Sequence, residues 1–164
     1  MRSKLLVAVT ALCLLSLAVD ALAKSAASSK SAVGSWKLNL QKSSFTNMTA
    51  PKFEHLAVTA DAPAALNWHL NGMSSNGVSY VSSYNGPIDG KYHPLVSSQS
   101  AGARIAYTRT VAGGVSWTMK DNKEAVIEAG IAELSPDGKT LTLKGSTQGP
   151  TGKGSFVSVF DRER

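Results

Sequence analysis

The most informative charged residue of the sequence is Arg109, in the stretch ARIAYTRTV. Alternate residues of a strand point to the same face, so Arg109 would share its side with Ile105, Tyr107 and Val111. An Arg that faces an apolar interior is costly unless it is paired, because its charge does not titrate away. In a structural role its partner would be an interior carboxylate or an aromatic face. In a binding role its partner would be the acid head group of an amphiphilic ligand.

Aromatic residues on neighbouring predicted strands could line a cavity around this charge. Trp68 and Trp117 lie on the apolar side of the alternating segments LNWHL and VSWTMK. Tyr80 and Tyr107 would add hydroxyl groups to apolar walls, the combination that small-molecule pockets use. Tyrosines on half-buried strands are also common where no ligand binds, so an ordinary core role stays open. The predicted ligand-binding set is Arg109, Trp68, Tyr80, Tyr107 and Trp117.

No arrangement of catalytic or metal-ligating residues stands out. The sequence has no Gly-x-Ser-x-Gly nucleophile motif. His55, His69 and His93 are isolated and lack the close spacing of a metal site. Glu128 and Glu133 fit solvated positions on a strand. We therefore expect a protein that is not an enzyme and that uses no metal or other cofactor.

A period of two runs through the chain from Val33 onward. Apolar and polar residues alternate in segments such as WKLNL and TLTLK, which is typical of half-buried antiparallel strands. Asn-Gly, Asp-Gly and Gly-Gly pairs separate the segments and suit tight hairpin turns. The predicted strands lie near residues 34–40, 53–60, 65–71, 77–84, 104–111, 114–120, 124–134, 139–146 and 154–162. The looser segment Pro87–Gly102 could hold a short strand around Tyr92–Val96.

The segment EAVIEAGIAEL, within 124–134, also fits a helix, because its apolar residues and Gly130 would share one helical face. A glycine in a helix interior costs about 1 kcal/mol. The turn sequences KDNK before the segment and SPDGK after it favour a hairpin arm. We therefore predict a strand here.

Sequential short strands joined by tight turns indicate an all-β meander, which either closes or folds into a sandwich. We predict a single antiparallel up-and-down β-barrel of about eight or nine strands, because closure removes exposed strand edges. A barrel of about eight strands can be wide enough to hold one small ligand.

The N-terminus has the composition of a signal peptide. Arg2 and Lys4 precede the apolar run LLVAVTALCLLSLAV, and Ala21–Ala23 gives the small-x-small pattern of a cleavage site. The run is shorter than the roughly 20 residues that span a bilayer, so we expect no stable membrane anchor. The predicted organisation is a signal peptide at 1–23, a flexible lead-in at 24–32 and a barrel domain at 33–164. Cleavage near Ala23 would make the protein periplasmic or secreted.

The chain is basic, with a formal net charge of +6, and loss of two cations and one anion with the signal peptide would leave +5. The basic residues are dispersed, whereas a nucleic-acid site clusters Lys and Arg with aromatic residues on one face. We expect no nucleic-acid partner. The only cysteine, Cys13, lies in the predicted signal peptide, so the folded domain would contain neither thiol nor disulfide.

The front of the predicted domain, GSWKLNLQKSSF, carries Gly34 and Trp36 in a Gly-x-Trp pattern. Together with YNGPIDGKYHPL and LSPDGKTLTL further along, it resembles a group of small exported bacterial lipocalin-like proteins of the calycin type. The resemblance implies a β-barrel in which Trp36 seals one end, with an Arg stacked on its indole. Arg162, in FDRER, is the approximate counterpart of that arginine. The middle of the chain has no Thr-Asp-Tyr motif of the kind that typical lipocalins carry.

These observations leave two interpretations of the function. The first is an exported lipocalin-like barrel that binds a small apolar or amphiphilic molecule without chemistry. The second is a barrel with a filled core that acts through its surface loops on an envelope or secreted protein, as an inhibitor or a structural partner. Pro87–Gly102 would then be the presenting loop. A cavity of several hundred Å³ would support the first interpretation, and a packed centre would support the second.

Overall fold

The computed structural model describes residues 31–149 and 152–163. These residues form β1 (Gly34–Leu38), β2 (Ser44–Thr46), β3 (Phe53–Ala62), β4 (Ala65–Met73), β5 (Ser79–Pro87), β6 (His93–Pro94), β7 (Val96–Ser97), β8 (Arg104–Arg109), β9 (Val115–Lys120), β10 (Val126–Leu134), β11 (Thr140–Gly149) and β12 (Gly152–Arg162). No helix in this part of the chain is long and apolar enough to cross a membrane. The predicted signal peptide, 1–23, and most of the predicted lead-in, 24–32, lie outside the described residues.

The predicted fold class is confirmed, because the described chain is all-β and forms one antiparallel, nearly closed barrel. The strand count is twelve instead of eight or nine, because β2, β6 and β7 have only two or three residues each and show no alternation in sequence. The segment 124–134, which also fitted a helix, forms the strand β10. Leu40, predicted on the same face as Trp36, is 42% exposed because β1 already ends at Leu38.

The sheet follows the order β6-β8-β9-β10-β11-β12-β1-β3-β4-β5-β7, and β2 pairs with β12. β1 joins the two halves, since its Trp36 is opposite Arg162 on one side and Leu56 on the other. The two remaining edges, β5 and β8, pair with β7 and β6. Only Leu95, which is buried, separates β6 from β7 in the chain. This short segment therefore connects the two edges of the sheet.

A β-bulge in β3 changes which of its residues face the interior. Val58 and Ala60 pair with consecutive residues of β4, so Thr59 has no partner and the alternation shifts by one residue. Glu54 faces the interior before the bulge, and Asp61 faces it after the bulge. Strict alternation would have turned Asp61 outward.

Trp36 is fully buried and packs against Arg162. The guanidinium carbon of Arg162 lies 4.1 Å from the centre of the Trp36 ring, the stacking that the resemblance implies. The same guanidinium donates hydrogen bonds to the carbonyl oxygens of Gly138 at 2.7 Å, Val33 at 2.6 Å and Ser31 at 3.1 Å. A cation over a Trp face contributes about 0.5–2 kcal/mol, and the three hydrogen bonds add to it.

The glycine of the Gly-x-Trp pattern has a steric cause at this contact. Gly34 adopts a φ of 145°, and a Cβ at this position would lie 2.5 Å from a guanidinium nitrogen of Arg162. The residues just before it are also held, because the Trp36 indole donates to the Ala32 carbonyl at 2.9 Å and the Ala32 amide donates to Asp61 at 2.8 Å. Ordered hydrogen bonding therefore extends into the last residues of the segment 24–32.

Candidate functional site

The interior of the barrel contains a cavity of about 450 Å³. Pockets for small molecules span about 300–1,000 Å³ and combine apolar walls with a few polar groups. Most of the lining is apolar, with Leu and Ile side chains from several strands. All five residues of the predicted ligand-binding set line it, namely Arg109, Trp68, Tyr80, Tyr107 and Trp117. Inward-facing alternate residues on β4, β5, β8 and β9 therefore converge on one space.

Arg109 is paired with a carboxylate of the barrel itself. Its Nη2 donates to Asp61 Oδ1 at 2.5 Å and to the Ala62 carbonyl oxygen at 2.5 Å. The other oxygen of Asp61 accepts the amide N–H of Ala32. An interior carboxylate is one of the structural partners that sequence reasoning allowed for Arg109. A role for Arg109 in binding the ligand remains a prediction.

A second carboxyl group of the lining belongs to Glu54, and it is held by neighbouring residues of β3, β4 and β5. Glu54 is opposite Gly72, and Gly72 is opposite Tyr80. The Tyr80 ring lies across the glycine, where a Cβ would come within 2.6 Å of it, and its hydroxyl donates to Glu54 Oε1 at 2.6 Å. Burial raises the pKa of Glu54, although the Tyr80 hydrogen bond opposes this. Burial and the charge of Glu54 raise the pKa of Tyr80.

A third carboxyl group is held in a similar way between β9 and β10. Gly130 is opposite Trp117, and the indole ring lies where a Cβ of Gly130 would be, at 2.5 Å. The indole Nε1 donates to Glu128 Oε1 at 3.0 Å. The pKa of Glu128 is raised to about 7, chiefly by burial; the indole N–H of Trp117 lowers it, and the charge of Glu54 adds to the rise.

The interpretation of Glu128 as a solvated residue is therefore wrong. Glu128 lines the cavity, because it is opposite the cavity-lining Met119 and alternates along β10 with Ala132 and Leu134, which line the cavity too. Glu133, further along the same strand, is 41% exposed and pairs with Lys144 at 3.1 Å. Only one of the two carboxylates fits the sequence interpretation.

The remaining polar groups of the predicted set bond to each other. Trp68 Nε1 donates to the hydroxyl oxygen of Tyr107 at 2.9 Å. The Tyr107 ring also packs against Tyr84, with ring centres 5.0 Å apart. Burial raises the pKa of Tyr107, so its hydroxyl keeps its proton and can donate it.

Sequence reasoning missed three interior carboxyl groups. Glu54 has the same parity as Leu56 and Val58, so the argument applied to Arg109 would have found it. The inward direction of Asp61 depends on the bulge. Glu128 alternates with the small residues of β10, which mark neither face as apolar.

The histidines do not converge. His55 Nδ1 lies 3.6 Å from Glu163, and His93 Nε2 lies 2.9 Å from Asp89 on the outside of the barrel. Within residues 31–149 and 152–163, no group of three or more His, Cys, Asp or Glu side chains could hold a metal ion.

The fold and the cavity define a class of protein: an antiparallel, nearly closed β-barrel with an interior cavity. No protein-family model matches the chain, and no curated protein matches it. The crystal structure of a mutant of the fluorescent protein UnaG is similar, with a TM-score of 0.54 and 12% sequence identity. The similarity covers 80% of this chain and 96% of that chain. At this identity the likeness shows the fold alone.

Proposed function

We propose that this chain is an exported bacterial lipocalin-like barrel that binds a small apolar or amphiphilic molecule in its interior and carries out no chemistry on it. The observation that supports the proposal is the cavity of about 450 Å³. Barrels of about eight strands can fill their interior with side chains. Here the inward side chains leave this space unfilled, which gives room for a ligand.

Two observations favour interior binding over action through surface loops on an envelope protein. The centre of the barrel is hollow, as the first interpretation requires. The segment Pro87–Gly102, the presenting loop of the second interpretation, pairs with both sheet edges through β6 and β7 and buries Leu95. A segment used to connect the sheet edges is a poor presenting loop.

Export is supported by the sequence pattern at residues 1–23. Intact-mass measurement of the protein recovered from cell fractions of a bacterial host tests it. Cleavage after Ala23 predicts a mature chain that starts at Lys24 and occurs in the periplasmic or extracellular fraction. A full-length chain in the cytoplasmic fraction would contradict export and would leave the binding proposal intact.

Binding is tested by native mass spectrometry of the purified protein after incubation with fluorescent apolar probes. Ala132 lines the cavity, so Ala132→Phe fills part of it and should abolish uptake of a probe that wild type retains. Ala106→Phe is the matched control, because Ala106 alternates with the buried Ile105 and Tyr107 and faces outward. Equal uptake of the probe by Ala132→Phe and Ala106→Phe would refute binding in the interior.

A further inference from the structure

The ionisable side chains that line the cavity are unequal in sign. Three carboxyl groups, those of Glu54, Asp61 and Glu128, share the described lining with one cation, Arg109. Buried charges in proteins are normally paired, so each of the four should have an opposite charge or several hydrogen-bond donors. Two of the four, both carboxyl groups, have neither an opposite charge nor several hydrogen-bond donors.

Arg109 and Asp61 satisfy one another. The guanidinium donates to one oxygen of Asp61 and to the Ala62 carbonyl, and the Ala32 amide donates to the other oxygen. The side chain of Asp61 is 11% exposed and that of Arg109 is 27% exposed. This pair is neutral as a unit, so it leaves no positive charge for an acidic ligand.

Glu54 and Glu128 have no such partner. Each accepts one hydrogen bond through Oε1, from Tyr80 and from Trp117, and neither Oε2 has a hydrogen-bond donor among the described residues. No Lys, Arg or His nitrogen of the described chain lies within 4.0 Å of either carboxylate. Both side chains are among those that line the cavity.

We propose that the cavity binds a hydrophobic organic cation, an apolar body that carries a protonated amine, with Glu54 and Glu128 as its acceptors. This inference rests on the proposed function, because it names the ligand class of the same cavity. A protonated amine supplies up to three N–H donors and the missing positive charge. The apolar remainder packs against the Leu and Ile walls and the indole rings.

An anionic amphiphile fits the same interior poorly. Its head group would meet two carboxylates of like charge, and the one cation of the described lining, Arg109, is already paired with Asp61. The interior therefore favours the opposite ligand charge from the one that Arg109 suggests when it is considered alone. The Tyr107 hydroxyl accepts a hydrogen bond from Trp68, and its own O–H can donate a hydrogen bond to a ligand as a neutral polar group.

The test compares three probes with the same ten-carbon chain: decylammonium, decanoate and decanol. Isothermal titration calorimetry uses the protein purified from cells that express the full chain, at about pH 8, where carboxyl groups are mostly ionised. We expect decylammonium to bind at least about tenfold more tightly than decanoate. The double variant Glu54→Gln, Glu128→Gln should lose about tenfold or more for decylammonium and should bind decanol within about twofold of wild type.

Glu133→Gln is the matched control, because it removes a carboxylate from the outer face of the strand that carries Glu128. Tighter binding of decanoate than of decylammonium by wild type would overturn the ligand class while keeping the interior site. Binding of none of the three probes would overturn the interior site as well. The ranking of the probes by wild type stands even where the double variant fails to fold. Loss of the cation preference in Glu133→Gln would refute the assignment to the two interior carboxylates.

Discussion

Glu128 gives the sharpest test of the structure through the pH dependence of stability. Its pKa is about 7 in the folded barrel, against an ordinary value of 4.5, chiefly because burial disfavours the carboxylate. The folded state thus binds this proton more tightly than the unfolded chain does. The stabilisation from this group is fully present below about pH 4.5 and is lost as the pH rises through about 7.

The difference between these two pKa values corresponds to about 3 kcal/mol in the free energy of unfolding. Glu128→Gln keeps the shape of the side chain, and its amide oxygen can still accept the indole N–H of Trp117. The glutamine carries no charge at any pH. The variant should therefore be about as stable as wild type near pH 4 and more stable by about 3 kcal/mol near pH 8.

Urea denaturation of the ligand-free protein, followed by far-ultraviolet circular dichroism at steps from about pH 4 to about pH 8, measures this difference. Glu54, Tyr107 and Trp117 also face Glu128, and they remain present in both proteins. Glu133→Gln is the control for removing an exposed carboxylate from the same strand. A stability difference between Glu128→Gln and wild type that does not change with pH would refute the burial of Glu128.

Three further predictions follow from packing and pairing. Gly130→Ala should lower the free energy of unfolding by about 1–3 kcal/mol, because the added Cβ overlaps the Trp117 indole ring and a backbone oxygen. Gly149→Ala is the control: its Cβ would stand in open space, so stability should change by less than about 0.5 kcal/mol. Urea titration of both variants checks this. Arg162→Ala removes a cation from an indole face and three hydrogen bonds, and should cost about 2–4 kcal/mol of stability. A midpoint of thermal unfolding equal to that of wild type would contradict a stabilising role for these contacts. Arg109→Ala leaves the carboxylate of Asp61 without its cation and should lower the free energy of unfolding by about 2 kcal/mol or more. In a double-mutant cycle, adding Asp61→Asn should recover part of that loss. Strictly additive effects of the two substitutions would argue against the ion pair.

Alternation along single strands accounts for most of what could be predicted. Arg109, Trp68, Tyr80, Tyr107 and Trp117 share the parity of apolar neighbours, and the structure has all five on one cavity. Alternation is a local property with a fixed period, so it predicts direction well as long as the strand is regular. The same reasoning covers the inward direction of Glu54, which alternates with Leu56 and Val58.

What could not be predicted depends on pairing between strands. The bulge that turns Asp61 inward is defined only against the partner strand, since it consists of an extra residue opposite a regular one. The end of β1 before Leu40 likewise reflects where its neighbours stop pairing. The contact of Tyr80 with Glu54 requires Gly72 to lie between them, a register that neither segment encodes alone. The sequence around Arg109 therefore could not predict Asp61 as its partner.

Two aromatic rings of the interior pack over glycines of the adjacent strands, and these glycines bear on how the specificity of such a pocket can evolve. Gly72 and Gly130 accommodate the rings of Tyr80 and Trp117, and each ring is aimed at an acid. A ligand in the cavity would meet the rings and the acids, whereas the glycines lie behind the rings. A single added methyl group at either glycine would re-aim a ring and alter specificity while leaving every ligand-contacting residue unchanged. Divergence of specificity in barrels of this design should therefore be sought at residues that touch no ligand.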